Sequence, residues 1–285
     1  MLIVGCGYTG TAFGRALAAD GWKVVGTTRS AEGAADLRAA GIEPRLWPGE
    51  PLAPEIARAS HMLVSVPPDA EGDPLLRAHG EAIAAAAPGL RWVGYLSTTA
   101  VYGDHGGAWV DESTPPRPST ERGRRRLAAE RAWLDLAARA GLAVHIFRLA
   151  GIYGPGRGPF AKLRAGRARR IVKPGQVFGR VHVDDIVAVL RASMAAPRPG
   201  AIYNVTDDLP APPEDVLAFA AELLGLPVPP AEPFESAAMT PMARSFYAEN
   251  KRVSNRRIRE ELGVRLRYPT YREGLRALAR EDGAG

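Results

Sequence analysis

Residues 1–21 read MLIVGCGYTGTAFGRALAADG. The apolar run Leu2-Ile3-Val4 enters a turn built on Gly5, Gly7 and Gly10 in the pattern G-x-G-x-x-G, and the residues after it read as a helix. Each glycine has a physical task. Gly5 permits the tight turn, Gly7 lets backbone approach a pyrophosphate, and Gly10 lets the helix lie close on the strand. The helix start, with Tyr8 and Thr9 in the turn, offers unpaired N–H groups and the positive end of a dipole to phosphates. Strand, glycine turn and helix in this order mark Gly5, Gly7, Tyr8, Thr9 and Gly10 as a dinucleotide site, and the chain as α/β.

Reading outward, a second strand (22–28, WKVVGTT) ends at Arg29-Ser30. Chains that bind NAD place an acid here to bond the ribose 2′-OH. This one has no carboxylate until Glu32 but offers Arg29, a planar donor suited to a 2′-phosphate, which favours NADP(H) over NAD(H). The other reading leaves Arg29 stacked on adenine or facing water. A helix over 31–40 and a strand over 42–47 follow, and the proline-rich PGEPLAPE reads as a connection. The buried strand HMLVSV (61–66) stops at Pro67-Pro68, so Ser65, Val66 and Pro67 should lie beside the cofactor ribose and pyrophosphate. Helices over 74–87, 119–140 and 213–225 alternate with strands over 91–97, 142–149 and 201–205, the order of a doubly wound parallel Rossmann-type sheet.

Composition narrows the function classes. The 285 residues are 46% hydrophobic and 24% charged, as in a globular protein, and no apolar run approaches a membrane span. No charged and apolar leader precedes the first strand, and the one cysteine, Cys6, rules out an internal disulfide or a multi-cysteine metal site; both suit a cytoplasmic protein. The net charge of +6 might suggest nucleic acid, but only four of the 37 basic residues are lysine (Lys23, Lys162, Lys173, Lys251) and the arginines are scattered through alanine-rich helices. Their densest clusters, 122–126, 167–170 and 256–259, lack interleaved aromatics, so anionic small ligands are the better use for them than nucleic acid. His61, His79 and His145 stand alone and read as structural. No metal site and no membrane contact is expected.

The stretch 96–130, LSTTAVYGDHGGAWVDESTPPRPSTERGRRRLAAE, ends an apolar strand in three hydroxyls, Ser97-Thr98-Thr99, and opens a helix at Ser119-Thr120. It resembles the active-site segment of the extended short-chain dehydrogenase/reductase superfamily (the epimerase/dehydratase type), whose strand reads S-S/T-x-x-V-Y-G. In that family a helix then supplies Y-x-x-x-K, followed four residues later by glutamate. Counting back from Glu130 puts Arg126 at the lysine and Arg122 at the tyrosine. Further on, Arg148 to Gly156 (RLAGIYGPG) is similar to the family's R-x-x-N-V-Y-G-P-G, with Gly151 in place of asparagine. The run 180–186 (RVHVDDI) matches its V-H-V-D-D helix start, where Asp184 and Asp185 read as helix caps. Val4 also stands where the family usually has another glycine.

The resemblance implies a Rossmann domain over 1–158, to which 180–206 returns, and a smaller substrate lobe from 159–179 and 207–285. It further implies that Ser97, Ala150 and Gly151 line the cofactor, that Thr98 polarises the substrate oxygen, and that Arg126 replaces the lysine at the ribose. Arg122 cannot serve as the proton donor, because a guanidinium does not give up its proton in a protein. Tyr102, Tyr153 and His105 lie near the same sheet edge with Asp104 adjacent, and of these Tyr102 is the preferred substitute acid, with packing or substrate contact as its other role. Arg122 and Arg126 share a helix face and could hold a substrate carboxylate or phosphate, with Tyr153 and Arg157 as further substrate contacts. The expected function is an NADP-dependent oxidoreductase or epimerase acting on a nucleotide-sugar-like or other anionic carbonyl or alcohol, and the resemblance implies a homodimer. The alternative is a non-catalytic NADP-binding redox sensor.

Overall fold

The computed structural model describes residues 1–283. In chain order its elements begin β1 (Leu2–Val4), α1 (Tyr8–Ala19), β2 (Val25–Thr28), α2 (Ala31–Ala39), β3 (Glu43–Leu46), α3 (Ala53–Arg58), β4 (His61–Val64), α4 (Pro74–Ala85) and β5 (Trp92–Thr98). A short 3₁₀ turn (Thr99–Tyr102) leads to β6 (Trp109–Val110), α5 (Glu121–Ala140), β7 (Val144–Leu149), β8 (Gly151–Tyr153), α6 (Phe160–Arg164) and β9 (Arg170–Val172). The chain ends with β10 (Arg180–His182), α7 (Val183–Ala195), β11 (Ile202–Val205), α8 (Pro213–Leu223), β12 (Ala231–Pro233), α9 (Pro241–Phe246), β13 (Arg252–Val253), α10 (Arg256–Leu262) and α11 (Tyr271–Gly283).

Seven strands form one parallel sheet in the order β11-β7-β5-β4-β1-β2-β3, the doubly wound arrangement expected. β1, β4 and β7 are buried at every position, so apart from His61, His145 and Arg148 their residues are apolar on both faces of the sheet. One core layer packs Leu75, Ile83, Trp133 and Leu136 of α4 and α5 onto Val64, Val93, Tyr95 and Ile146 of the sheet. Elsewhere in the sheet an aromatic row runs from Phe13 through Trp92 and Phe147 to Tyr203, with ring centroids 6.5, 6.0 and 5.9 Å apart.

Contacts divide the chain into two units. The first comprises Met1–Thr98, Glu121–Arg148 and Val187–Tyr203, and the second Thr99–Thr120, Leu149–Ile186 and the chain from Asn204 onward. The division is finer than the motif boundaries suggest, since the loop after β5 clusters with the second unit. That unit carries three two-stranded parallel pairs (β8 with β10, β9 with β12, β6 with β13) and a core of Tyr153, Phe160, Leu163, Ala220, Tyr271 and Leu275.

Two local expectations change. The proline-rich 48–55 connection contains the start of α3, because proline in a first turn removes an N–H that would be unpaired anyway. Asp184 and Asp185 do fall in the first turn of α7, but the Asp185 carboxylate accepts the N–H groups of Arg267 and Tyr268 at 2.6 and 3.1 Å. It is a tether to the distant chain more than a cap. Among the described residues no helix is long and apolar enough to cross a membrane.

The isolated histidines are structural. His145 is fully buried and stacks on Trp92 at 5.9 Å, and its Nε2 accepts the Arg198 N–H, so its ring is neutral. Burial holds both His145 and His61 down to about 4, from an ordinary value near 6.5. The unfolded chain therefore takes up protons below about pH 6.5 that the folded chain refuses until about pH 4, and stability falls as pH drops through that window. Urea unfolding midpoints measured between those pH values should decline, and His145→Gln should flatten the decline.

Candidate active site

The glycine turn sits at the carboxyl end of β1. Gly5 is left-handed (φ +82°), and a Cβ there would stand 2.9 Å from the Val66 backbone nitrogen, so the turn is pressed against the chain leaving β4. β2 braces it from the other side: Gly5 N–H donates to Thr27 Oγ1 (2.8 Å) and Cys6 N–H to the Thr27 carbonyl (2.9 Å). Gly7 caps α1, no heavy atom lies within 4 Å of where its Cβ would be, no side chain caps the helix, and no acid occupies the first turn. Gly10 lies under Ile3, whose methyl is 3.0 Å from a hypothetical Cβ. A bare helix N-terminus with open space above Gly7 fits a dinucleotide pyrophosphate. Burial raises the Cys6 thiol to about 11, which leaves it inert.

Around this cradle, Thr9 is buried, Tyr8, Ser65 and Val66 are half-buried, and Pro67 is exposed. Arg29 is exposed at the end of β2. Ser30 beyond it caps α2 through Gly33 N–H at 3.1 Å, which leaves no carboxylate between the strand and Glu32.

Helix α5 is stapled to the hydroxyl-bearing end of β5 at successive residues. Arg126 Nη1 donates to the Leu96 carbonyl, and Ser97 Oγ donates to Glu130. Glu130 in turn pairs with Arg148 of β7 (Nη2 to Oε2, 2.8 Å; Nε to Oε1, 3.1 Å), both side chains being 2–3% exposed. Thr98, half-buried, is the last residue of the strand so held. Sequence reasoning used Glu130 only to set the register and Arg148 only as a motif match. The signal that would have joined them is two opposite charges on otherwise apolar buried faces, each needing the other.

Several assigned roles change at this point. The Arg126 guanidinium lies 5.6 Å from the Tyr95 ring centroid and is committed to the strand backbone, so it faces β5 where the ribose role required it free. Its i, i+4 neighbour Arg122 is exposed, so the two do not close as one anion clamp. Tyr102 is wholly buried and donates its hydroxyl hydrogen to Asn204 Oδ1 (2.8 Å), which makes it a packing residue and not an accessible acid.

Ala150, Gly151, Tyr153 and Arg157 belong to the second unit. Ala150 is buried and Gly151 exposed, with β10 alongside: a Cβ on Gly151 would stand 3.3 Å from the Gly179 carbonyl. Tyr153 is 6% exposed, edge-on to His182 at 5.2 Å, and its hydroxyl presses on Gly274, where a Cβ would clash with it at 2.0 Å. It packs inside its unit, contrary to the substrate contact expected of it, and burial raises its phenol. Arg157 is exposed in the turn that it closes with Gly154. Among the described residues no group of three or more His, Cys, Asp or Glu is placed to hold a metal ion.

Breaking the buried pair from one side should be costly. Glu130→Ala strands Arg148 in the core and should lower unfolding stability by about 3–5 kcal/mol, while Glu130→Leu with Arg148→Met should restore most of it. Chemical denaturation of Glu130→Ala and of the double variant against the unaltered protein measures the difference.

The model of the NAD dependent epimerase/dehydratase family matches residues 81–206. Protein YeeZ of Escherichia coli (strain K12) is 31% identical over 280 residues, spanning 94% of this chain and 95% of that protein. A 3-diazoavenalumate denitrifying reductase from Streptomyces sp is 30% identical over 151 residues, 49% of this chain and 48% of its own length. Among solved structures, a functionally unknown conserved protein from Silicibacter pomeroyi DSS superposes with a TM-score of 0.93 at 59% identity, over 99% of this chain and 98% of that one. A likeness that runs the length of the sheet, the hydroxyl strand and the second unit has one reading: the chain belongs to the NAD dependent epimerase/dehydratase family of extended short-chain dehydrogenases/reductases.

Proposed function

We propose that the protein is an NADP(H)-dependent oxidoreductase for an anionic carbonyl or alcohol substrate, working without the family's tyrosine–lysine proton relay. One observation carries the reading. The hydroxyl end of β5 is locked by α5 through Leu96 and Ser97, yet the helix position that should supply the proton donor is the exposed Arg122. A scaffold for substrate polarisation is kept while the acid is lost.

When bound, the nicotinamide cofactor supplies or accepts the hydride. The chain's own residues do the rest. The N–H groups beginning α1 bind the pyrophosphate over Gly7, and Arg29 pairs with the 2′-phosphate. Ser97 gives its hydrogen to Glu130, and Thr98, the last residue of the strand, is the hydroxyl assigned to the substrate oxygen. Arg126 keeps that strand end in place and neither gives nor takes a proton. Water then delivers the proton that the substrate oxygen gains on reduction, or takes it up on oxidation, at a cost of roughly 10²–10⁴ in rate relative to a positioned acid. Arg122, exposed, is the cation the first unit offers to the substrate's carboxylate or phosphate.

Reduction or oxidation is favoured over epimerisation or dehydration, because those reactions need a base that takes a proton and gives it back. The half-length relative that is itself a reductase leans the same way. A nucleotide-sugar-like substrate is the narrower form of this reading and rests on the family alone. The active-site helices α4 and α5 are the faces offered for a homodimer. A second reading, a non-catalytic NADP-binding sensor of redox state, is favoured by the commitment of both Tyr102 and Arg126 to structural bonds.

Calorimetric titration should show NADPH binding more tightly than NADH. Losing a charge-assisted contact in Arg29→Ala should weaken NADPH about tenfold or more and leave NADH unchanged. In a screen of anionic carbonyl compounds followed by nicotinamide absorbance, turnover should disappear in Thr98→Ala while cofactor binding survives. Tight NADPH binding with no turnover on any substrate would instead support the sensor.

A further inference from the structure

Asp207 follows β11 in the second unit and is 2% exposed, yet neither of its carboxylate oxygens accepts a hydrogen bond. A buried carboxylate without partners costs several kcal/mol, so such a group has to be neutral or has to acquire a partner. Its backbone is fixed: Asp207 N–H donates to the Arg180 carbonyl, Thr206 Oγ1 donates to the same carbonyl at 3.1 Å, and Asp208 N–H donates to the Pro269 carbonyl at 2.8 Å. The residue is thus held in the interior of the second unit.

The groups that act on it come from several elements. The Arg180 guanidinium of β10 favours its charge, Asp208 opposes it, and the Leu209 and Arg180 backbone N–H groups point toward it without forming a bond of normal geometry. Tyr153 of β8 lies on the same side of the cluster, and Tyr271 of α11, Tyr247 after α9 and Glu214 of α8 all interact with Arg180. Burial dominates and raises Asp207 to about 8, so the carboxyl carries a proton at neutral pH.

Arg180 itself is otherwise engaged. Its Nη1 donates to the carbonyls of Phe178 (2.9 Å) and Ala211 (3.1 Å), and no ion pair joins it to Asp207. Phe178 and Ala211 are the two residues of an isolated antiparallel bridge, each N–H bonded to the other's carbonyl at 3.0 and 3.1 Å. One guanidinium thus fastens the loop before β10 to the loop after β11 while standing beside a partnerless acid.

We propose that Asp207 and Arg180 form a two-position proton switch in the second unit. With the carboxyl protonated, Arg180 clips the Phe178 and Ala211 carbonyls; with it ionised, the guanidinium turns to the carboxylate and the clip opens. The proton leaves to solvent and no other group changes charge. The two arrangements exchange one set of charge-assisted bonds for another, which makes the bridge bistable and not merely weaker. Linkage gives the sign. The folded state keeps a proton that the unfolded chain releases above about pH 4, so the stability this group contributes is lost as pH rises toward about 8.

Hydrogen exchange of the full-length protein, read at the Phe178 and Ala211 amides and corrected for intrinsic rate, tests the switch. Protection should fall by about tenfold between pH 7 and pH 9 in the wild type, stay flat and high in Asp207→Asn, and be low at every pH in Arg180→Met. Should Asp207→Asn fail to fold, infrared spectroscopy of the wild type at pH 7 against pH 9.5 provides the second measure: a protonated carboxylic acid band should disappear with the same midpoint as the protection. Equal pH dependence in wild type and Asp207→Asn, protection that does not change with pH, or no such band at pH 7 would each overturn the proposal.

Discussion

The ion pair of Glu130 and Arg148 is the constraint on which the rest of the active face depends. Two charges at 2–3% exposure survive only because each satisfies the other through two hydrogen bonds and Ser97 takes a further position on Glu130. The pair fixes where α5 crosses β5 and β7. Arg126, one turn earlier on the same helix, then falls on the Leu96 carbonyl, and the strand end is held at Leu96 and Ser97 in succession. Thr98 inherits its position from these bonds. In the function proposed above, the helix so held presents the exposed Arg122 where the family's tyrosine would stand.

The cofactor cradle follows a separate logic, in which what matters is space. Gly5 and Gly10 are glycines because a Cβ would press on Val66 and Ile3, whereas Gly7 is surrounded by nothing within 4 Å. The first two serve packing, and the third keeps an approach open to the start of α1. At the far end of β2 the same economy applies to charge. With no acid before Glu32 and Ser30 occupied in capping α2, the group at the end of β2 proposed for the adenosine ribose is Arg29. Both features belong to the first unit and require nothing from the second.

The fold was legible in the sequence because its signals are local and repeated: buried parallel strands give mostly apolar runs, and the turn glycines have steric causes. The α3 start was hidden in PGEPLAPE because proline reads as a breaker although it suits a first turn. Side-chain partners were the illegible part. Tyr102 was a reasonable acid by position, but its hydroxyl bonds to Asn204, 102 residues away, and nothing local announces that contact. Arg126 was placed correctly on its helix and turned toward the wrong neighbour, because a fork long enough to reach a ribose also reaches a carbonyl on the next strand. Asp207 gave no signal at all, since its anomaly lies in partners that are absent.

The central claim is that the glycine turn and Arg29 hold NADP(H) in front of a Thr98 that has lost its tyrosine. A crystal structure of the protein with NADP⁺ tests this most directly. The account predicts the pyrophosphate over Gly7, the 2′-phosphate in contact with Arg29, and the nicotinamide facing Thr98 with no side-chain acid beside it. A 2′-phosphate left in solvent, or a tyrosine, aspartate or histidine brought against the nicotinamide, would contradict it.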